Sequence, residues 1–140
     1  MRRQFTISRV RKQVTSSWEF PLTWDEVNES PLAGPFSQLE QRRLDTAIGC
    51  FPFARRTGDG RRAWRINSPG SGDVVAWVTS DGSLFVEGET TLNLVYALYV
   101  HLCDVCPELV VEDRITSVVH NASSLLRLVR RDEERRAFAA

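Results

Sequence analysis

Two of the three cysteines, Cys103 and Cys106, form a C-x-x-C pair, a spacing that in other proteins binds zinc or exchanges disulfides. A structural zinc site of this type needs a second such pair, and the third cysteine, Cys50, stands alone. A redox pair needs its first cysteine at the N-terminus of a helix, where the helix dipole favours the thiolate. The helix predicted around this pair ends there instead, so we expect buried, reduced thiols and neither a metal ion nor a cofactor.

His101 and Asp104 are the second set of residues with catalytic potential. At a spacing of three on a helix they can hydrogen-bond, and a carboxylate that orients a histidine is part of many nucleophilic catalytic sites. The nucleophile would come from elsewhere, with Ser80, Ser83 and Cys50 as candidates, and no motif identifies one. A small enzyme centred on His101 is therefore the third functional hypothesis, whereas a polar stripe on a helix surface explains the pair without chemistry. We name no catalytic residue.

These residues belong to the most apolar stretch of the sequence, Thr90 to Cys106. Its spacing predicts a central, buried helix that starts at Thr90 or Thr91 and ends before Pro107, too short to span a bilayer. On a helical wheel a broad apolar side faces a narrow stripe of polar or small residues. The apolar side contains Leu92, Val95, Tyr96, Tyr99, Leu102, Cys103 and Cys106, and the stripe contains Asn93, Ala97, His101 and Asp104.

One further helix is predicted before this one in the sequence and one after it. Ser37 and Glu40 form an S-x-x-E capping box, which starts an amphipathic helix that ends at Gly49. Apolar residues recur at helical spacing from Ile115 to Val129, and we expect that helix to continue into the charged segment that follows.

Turn signals and alternation predict the strands. Glycine-containing turns separate four candidate strand segments, at 51–56, 61–67, 74–79 and 83–87. This pattern predicts an antiparallel meander of three to four strands. Phe5–Arg9 and residues 109–111 are further candidates for strands. Val10 and Val14 continue the apolar pattern of the first out of phase, which indicates a bulge or bend.

The fold class is therefore predicted to be α+β, with the meander packed against one N-terminal and two C-terminal helices. We expect a single domain over residues 1–140. Residues 1–35 would be a basic arm and an irregular, aromatic-rich segment packed on the domain. Residues 36–130 would form the core, and residues 131–140 a charged C-terminal tail.

Charge is distributed unevenly along the chain, although the net charge is zero. Residues 1–70 contain 12 Lys and Arg against 7 Asp and Glu, whereas residues 71–140 contain 6 against 11. No Lys or Arg occurs between Arg65 and Arg114, an interval with eight acidic residues. This acidic interval is expected either to bind a basic partner or to complement the basic half, within the chain or across a symmetric dimer.

The leading hypothesis is a non-enzymatic protein-binding module that uses the acidic interval. The sequence has no Walker, dinucleotide-binding or metalloprotease motif. Many inhibitors, immunity proteins and chaperone-like adaptors are small α+β domains with an acidic face, an analogy of build alone. The expected partner is another, basic protein, with a homodimer as the other arrangement. The expected binding residues are Asp81, Glu87, Glu89, Asp104, Glu108, Glu112 and Asp113.

The alternative hypothesis is a nucleic-acid-associated protein that uses the basic N-terminal arm and the hairpin at 55–65. Arginines can neutralise phosphates, and Trp64 is a candidate for stacking on a base. Alternation predicts instead that Trp64 and Ile66 face the core, and zero net charge is unlike a dedicated nucleic-acid-binding domain. The candidate residues are Arg9, Arg11, Arg55, Arg56, Arg61, Arg62 and Arg65.

The composition predicts a cytoplasmic protein without membrane association. An odd number of cysteines gives no regular disulfide framework, which favours a reducing compartment. The basic opening MRRQFTISRVRK lacks the apolar segment of a secretory signal, and its Arg, Ser and Thr content leaves a mitochondrial presequence as the minor alternative.

Overall fold

The architecture is given by a computed structural model that describes residues 2–9, 19–23, 35–58, 62–79 and 82–139. Within these residues one sheet of eight antiparallel strands carries three helices. The strands are β1 (Arg2–Arg9), β2 (Leu22–Thr23), β3 (Ala54–Arg56), β4 (Ala63–Ser68), β5 (Gly72–Val78), β6 (Leu84–Thr90), β7 (Leu109–Asp113) and β8 (Val118–His120). The helices are α1 (Gln38–Gly49), α2 (Leu92–Cys103) and α3 (Ala122–Ala139). The order across the sheet is β2-β8-β7-β1-β6-β5-β4-β3.

The α+β class and the three helices are confirmed, but the predicted count of three to four strands is wrong. The turns do produce the expected meander, which is β3 to β6. The sheet is larger because β1 inserts between β6 and β7, so that Phe5 lies opposite both Val86 and Asp113. Such pairing joins segments far apart in the chain, and local turn and alternation signals do not reveal it.

The predicted central helix is confirmed as α2. Thr91 caps its N-terminus, where its Oγ1 accepts a hydrogen bond from the Leu94 N–H at 3.3 Å. Val95 and Leu102, on the predicted apolar side, are buried, whereas Asn93 of the predicted stripe is exposed. The spacing of apolar residues therefore identified the buried side of this helix correctly.

The capping box of α1 is confirmed in both directions. The Ser37 Oγ accepts from the Glu40 N–H at 3.1 Å, and Glu40 Oε1 accepts from the Ser37 N–H at 3.0 Å. The helix ends at Gly49, as predicted. A Cβ at Gly49 would lie 2.6 Å from the ring of Trp64, so glycine allows this ring to pack directly on the helix end.

The predicted start of the last helix at Ile115 is wrong, because residues 114–120 form a turn and β8. The Asp113 carboxylate holds this turn by accepting hydrogen bonds from two of its backbone N–H groups. α3 starts after Asn121, whose Oδ1 accepts from the Ser124 N–H at 2.9 Å. Short polar side chains that bond to the nearby backbone thus override the apolar spacing.

The second half of α3 carries the predicted charged segment. Its last buried side chain is Val129, and the helix continues to Ala139, with most residues from 130 to 138 exposed. The described helices include none that is long and apolar enough to cross a membrane.

All three helices pack on one face of the sheet. Strand residues that point to this face, such as Phe5, Ala76 and Val86, form one buried cluster with residues of the three helices. α2 lies in the middle and contacts both α1 and α3. The other face, called the open sheet face below, presents the alternate strand residues, among them Trp77 and Phe85, and no described helix packs on it.

Ion pairs connect the sheet to the helix layer. Arg9 of β1 donates to both carboxylate oxygens of Glu40 in α1, at 2.9 and 2.8 Å. Both contacts are made by one guanidinium nitrogen, Nη1, and are charge-assisted, which makes them stronger than neutral hydrogen bonds. Two further connections among the described residues are Arg56 with Asp45 at 2.8 Å and Arg3 with Asp132 at 3.8 Å. Part of the basic N-terminal half is therefore neutralised by acids of α1 and α3.

Some predicted features lie outside the described residues. These include the bend at Val10 and Val14 and most of the aromatic-rich segment, in which only residues 19–23 and 35 are described. In that short part Phe20 is buried.

His120, at the end of β8, is a buried histidine. Its Nδ1 lies 3.1 Å from the Ser124 Oγ, and the residue is 6% exposed. Burial lowers the pKa of His120, while the nearby Asp113 carboxylate raises it and Arg127 and Arg131 lower it. The folded protein therefore keeps this imidazole neutral at a pH where the unfolded chain already binds a proton.

We expect the free energy of unfolding to decrease as the pH falls below about 6.5, the ordinary pKa of histidine. The pKa of His120 is lower in the folded state, so the unfolded chain takes up the proton first and is stabilised by it. Urea unfolding between about pH 7.5 and about pH 5.5 measures this slope. In His120→Gln the slope should decrease, and an unchanged slope would contradict the assignment.

Candidate functional site

A cleft of about 520 Å³ lies between α1 and α2 on the solvent side of the helix layer. Ala47 near the end of α1 contacts His101 near the end of α2, while Glu40 near the start of α1 contacts Cys106, which follows α2. The lining residues are Arg42, Arg43, Thr46, Ala47, Cys50, His101 and Val105.

His101 is fixed in the floor of this cleft. Its Nε2 lies 2.7 Å from the Ala47 carbonyl oxygen, which can only accept, so Nε2 carries the proton and donates it. The imidazole also makes an edge-to-face contact with Phe51, with ring centroids 5.5 Å apart. In the neutral ring, Nδ1 is then the remaining acceptor. The predicted stripe residue is thus half-buried and bound to α1.

The cleft brings His101 together with Cys50, an arrangement that the enzyme hypothesis requires. Cys50 is an exposed free thiol at the C-cap of α1, and within the described part of the chain its sulfur has no hydrogen-bond partner. A catalytic cysteine needs a base within hydrogen-bond reach. Ser83 lies in the turn between β5 and β6, where it bonds to Thr79, and Ser80 is outside the described residues. The small enzyme stays a prediction, and the described geometry offers it no activated nucleophile.

The C-x-x-C pair lies beneath the helix layer. Cys106 is buried and Cys103 is half-buried, and both thiols are free. Burial raises the pKa of Cys106 to about 11, and the Glu40 carboxylate, 3.6 Å from its sulfur, contributes to the increase. Burial also raises the pKa of Cys103. Both thiols are therefore protonated at neutral pH. A protonated thiol is a poor nucleophile and a poor metal ligand. Among the described residues no three His, Cys, Asp or Glu side chains gather around a common point.

Charged groups of both signs surround the α1–α2 cleft. Arg42 and Arg43 of α1 are exposed, and neither has an ion-pair partner among the described residues. Asp104, the C-cap of α2, is exposed next to the negative end of the helix dipole. Of the exposed apolar side chains, Val105 lines the cleft and is 40% exposed, and Leu39, one helical turn before Arg43 on α1, is 51% exposed.

The cleft therefore combines a mostly apolar lining with nearby charges that have no ion-pair partner in the described part of the chain. No family model, curated protein or solved structure matches this chain. Its function has to be inferred from the contacts and charges of its own residues.

Cys50 and His101 were candidates from the sequence, whereas Arg42, Arg43 and Val105 were not. The two adjacent arginines within an amphipathic helix are the signal that could have identified Arg42 and Arg43. A surface shared by two helices depends on which helix lies beside which, and the spacing of residues within one helix does not contain that information.

The predicted acidic residues occupy three separate places. Glu87, Glu89 and Glu112 point to the open sheet face, and Asp104 and Glu108 lie in the connection from α2 to β7. Asp113 is buried at the end of β7, where it holds the following turn. Asp81 lies outside the described residues.

Two acids of the acidic interval, Asp73 and Glu87, pair with arginines of the basic half. Asp73 accepts from the Arg65 Nε at 2.9 Å, and this hydrogen bond lowers the pKa of Asp73. Glu87 lies 3.7 Å from Arg2. Ion pairs within the chain thus neutralise part of the acidic interval, which is one of the two outcomes expected above. That the acidic residues bind a basic partner stays a prediction.

The arginines of the nucleic-acid hypothesis are spread over both faces of the sheet. Trp64 is packed under α1, where its Nε1 donates to Asp45 at 3.0 Å and the Arg56 guanidinium lies 4.1 Å from its ring. Its ring is therefore engaged within the fold. Arg9, Arg56 and Arg65 are in ion pairs, Arg55 and Arg62 are exposed, and Arg11 and Arg61 lie outside the described residues.

An aromatic pair that sequence analysis did not single out lies on the open sheet face. Trp77 and Phe85 are opposite each other on β5 and β6 and stack with centroids 5.6 Å apart. The Arg114 guanidinium lies 5.4 Å from the Phe85 ring. Cross-strand aromatic pairs stabilise sheets, which explains this group without a ligand.

Proposed function

We propose that the protein is a non-enzymatic protein-binding module and that the α1–α2 cleft is its docking surface. One observation carries this proposal: exposed apolar side chains and charges without an ion-pair partner among the described residues concentrate around a cleft in which those residues provide no activated catalytic group. Val105, Arg42 and Arg43 line the cleft, Leu39 lies one helical turn before Arg43 on α1, and Asp104 directly precedes Val105. An apolar centre with a polar rim is typical of protein–protein interfaces.

The chemistry of the cleft specifies the chemistry of its partner. A groove between two helices suits an amphipathic helix that lays its apolar face into it. Acidic residues of that helix would face Arg42 and Arg43, and a basic residue would face Asp104. An inhibitor, an immunity protein and a chaperone-like adaptor are the specific forms that we expect, by analogy of build alone. We expect this one to act in the cytoplasm and without a cofactor.

The proposal is tested with helical peptides of about 15 residues. We expect a peptide with a leucine stripe, Glu on one flank and Lys on the other to bind with a Kd of about 1–100 µM. Amide chemical shifts should change mainly in α1 and α2. Val105→Asp should weaken binding at least about 10-fold, because burial of a valine side chain contributes about 1.5–3 kcal/mol.

The matched control is Ile115→Asp, which alters an exposed residue in the turn between β7 and β8, outside the cleft. This variant should bind the peptide like the wild type. Equal binding by Val105→Asp, or shift changes centred on the open sheet face, would overturn the proposal. Binding to generic DNA or RNA that weakens steeply with salt would instead favour the nucleic-acid hypothesis.

A further inference from the structure

We propose that one occupant of the α1–α2 cleft is a second copy of this chain, so that the protein is a two-fold symmetric homodimer. The inference rests on the proposed function of the cleft. In a two-fold interface the same surface meets itself, and a residue that contacts another across it is contacted in return by the same pair. Such a surface has to carry both members of every charge pair that it uses.

The cleft meets this requirement with Arg43 and Asp104. Arg43 lines the cleft from α1, and Asp104, the C-cap of α2, directly precedes the lining residue Val105. Within the described residues they do not pair with each other, and neither has another ion-pair partner. A two-fold axis across the cleft places Arg43 opposite Asp104 of the second copy and Asp104 opposite its Arg43. Both unpaired charges are thereby satisfied, twice in each dimer.

The exposed apolar side chains lie where this arrangement would cover them. Leu39 precedes Glu40 and Val105 precedes Cys106, and Glu40 contacts Cys106, so Leu39 and Val105 both lie near the start of α1. They are 51% and 40% exposed in the single chain. Association would remove both from water, and their burial gives the non-directional part of the attraction.

The open sheet face is a weaker candidate for self-association. Its acids Asp73 and Glu87 already pair with Arg65 and Arg2 of the same chain. Its aromatic residues, Trp77 and Phe85, are stacked on each other. Association through that face would therefore have to replace contacts that exist, whereas the cleft offers groups without partners.

The size of the surface sets the expected strength. Each helix has 12 residues and is about 18 Å long, so the contact would lie at the lower end of the range for specific interfaces. We therefore expect a dimer that dissociates on dilution.

Sedimentation velocity over a range of concentrations tests the inference. The wild type should shift from the 15.9 kDa of one chain to twice that mass as the concentration rises. Arg43→Glu and Asp104→Arg should each weaken dimerisation at least about 10-fold, because each reversal creates two like-charge contacts in the symmetric dimer. An equimolar mixture of the two variants should dimerise again, since one charge pair is then native and the other is reversed.

The control variant is Arg135→Glu, in the exposed second half of α3, which should dimerise like the wild type. A dimer that is insensitive to both reversals, or a mixture that stays monomeric, would overturn the inference. A wild-type monomer that still binds the helical peptide would overturn the dimer and leave the proposed function standing. A monomer that binds no peptide would overturn both. Circular dichroism of each variant confirms that it is folded.

Discussion

Replacing Leu102 by alanine should lower the free energy of unfolding by about 3 kcal/mol. Leu102 is fully buried in α2, the middle helix of the layer, and belongs to the single core cluster. The substitution removes apolar burial and leaves a cavity that neighbours on the sheet and both flanking helices can only partly fill. Urea unfolding followed by circular dichroism measures the change.

Val100→Ala is the matched control, because it truncates an apolar residue on the same helix. Val100 is 40% exposed, so the loss should stay below about 1 kcal/mol. Equal losses for the two variants would contradict the burial of α2 deduced from the wheel and seen in the structure.

Replacing Gly88 by alanine should destabilise the protein by about 3 kcal/mol or more, through strain and overlap together. Gly88 is in β6 with a φ of 151°, a conformation that residues with a Cβ rarely adopt. A Cβ there would overlap the Asp73 carbonyl oxygen and lie 2.9 Å from the Val74 Cα on β5. Backbone atoms within a sheet cannot move aside without breaking the pairing of β5 with β6.

Gly70→Ala separates the two causes. Gly70 also has a positive φ, 77°, but a Cβ there would meet nothing within 4 Å. Its replacement should therefore cost only the conformational part, about 1–2 kcal/mol. If both variants lost the same stability, the overlap with β5 would not be the main cause of the effect at Gly88.

The same helix supports the core and the proposed docking surface. Leu102 and Val95 are buried in the core cluster, whereas Val105, shortly after the helix, lines the α1–α2 cleft and Asp104 directly precedes it. A substitution on the cleft side should therefore change binding with little effect on stability, and one on the core side should do the opposite. We therefore expect the variants of the peptide and sedimentation experiments to keep the fold.

Local signals predicted those parts of the fold that depend on neighbouring residues. The capping box of Ser37 and Glu40, the end of α1 at Gly49 and the cap of α2 at Thr91 all follow from hydrogen bonds within a few residues. The buried side of α2 follows from the period of the helix. The start of α3 was mispredicted because Asp113 holds a turn that apolar spacing alone does not indicate.

Long-range pairing was beyond the reach of the sequence. β1 lies between β6 and β7, so it brings Phe5 beside Val86 and Asp113 and doubles the predicted sheet. Strand order depends on how all strands share the edges of one sheet, and this is a property of the whole chain. The cleft is of the same kind, because it exists only when α1 packs beside α2.

The charged residues show most clearly which features follow from the sequence and which from the tertiary structure. The sequence by itself determined that the basic and acidic residues are concentrated in different halves of the chain. Only the tertiary structure decided which of them meet: Arg65 pairs with Asp73 across adjacent strands, whereas Arg43 and Asp104 have no ion-pair partner among the described residues. The physical reason is that an ion pair depends on distance in space, within about 4 Å, and the sequence gives only distance along the chain.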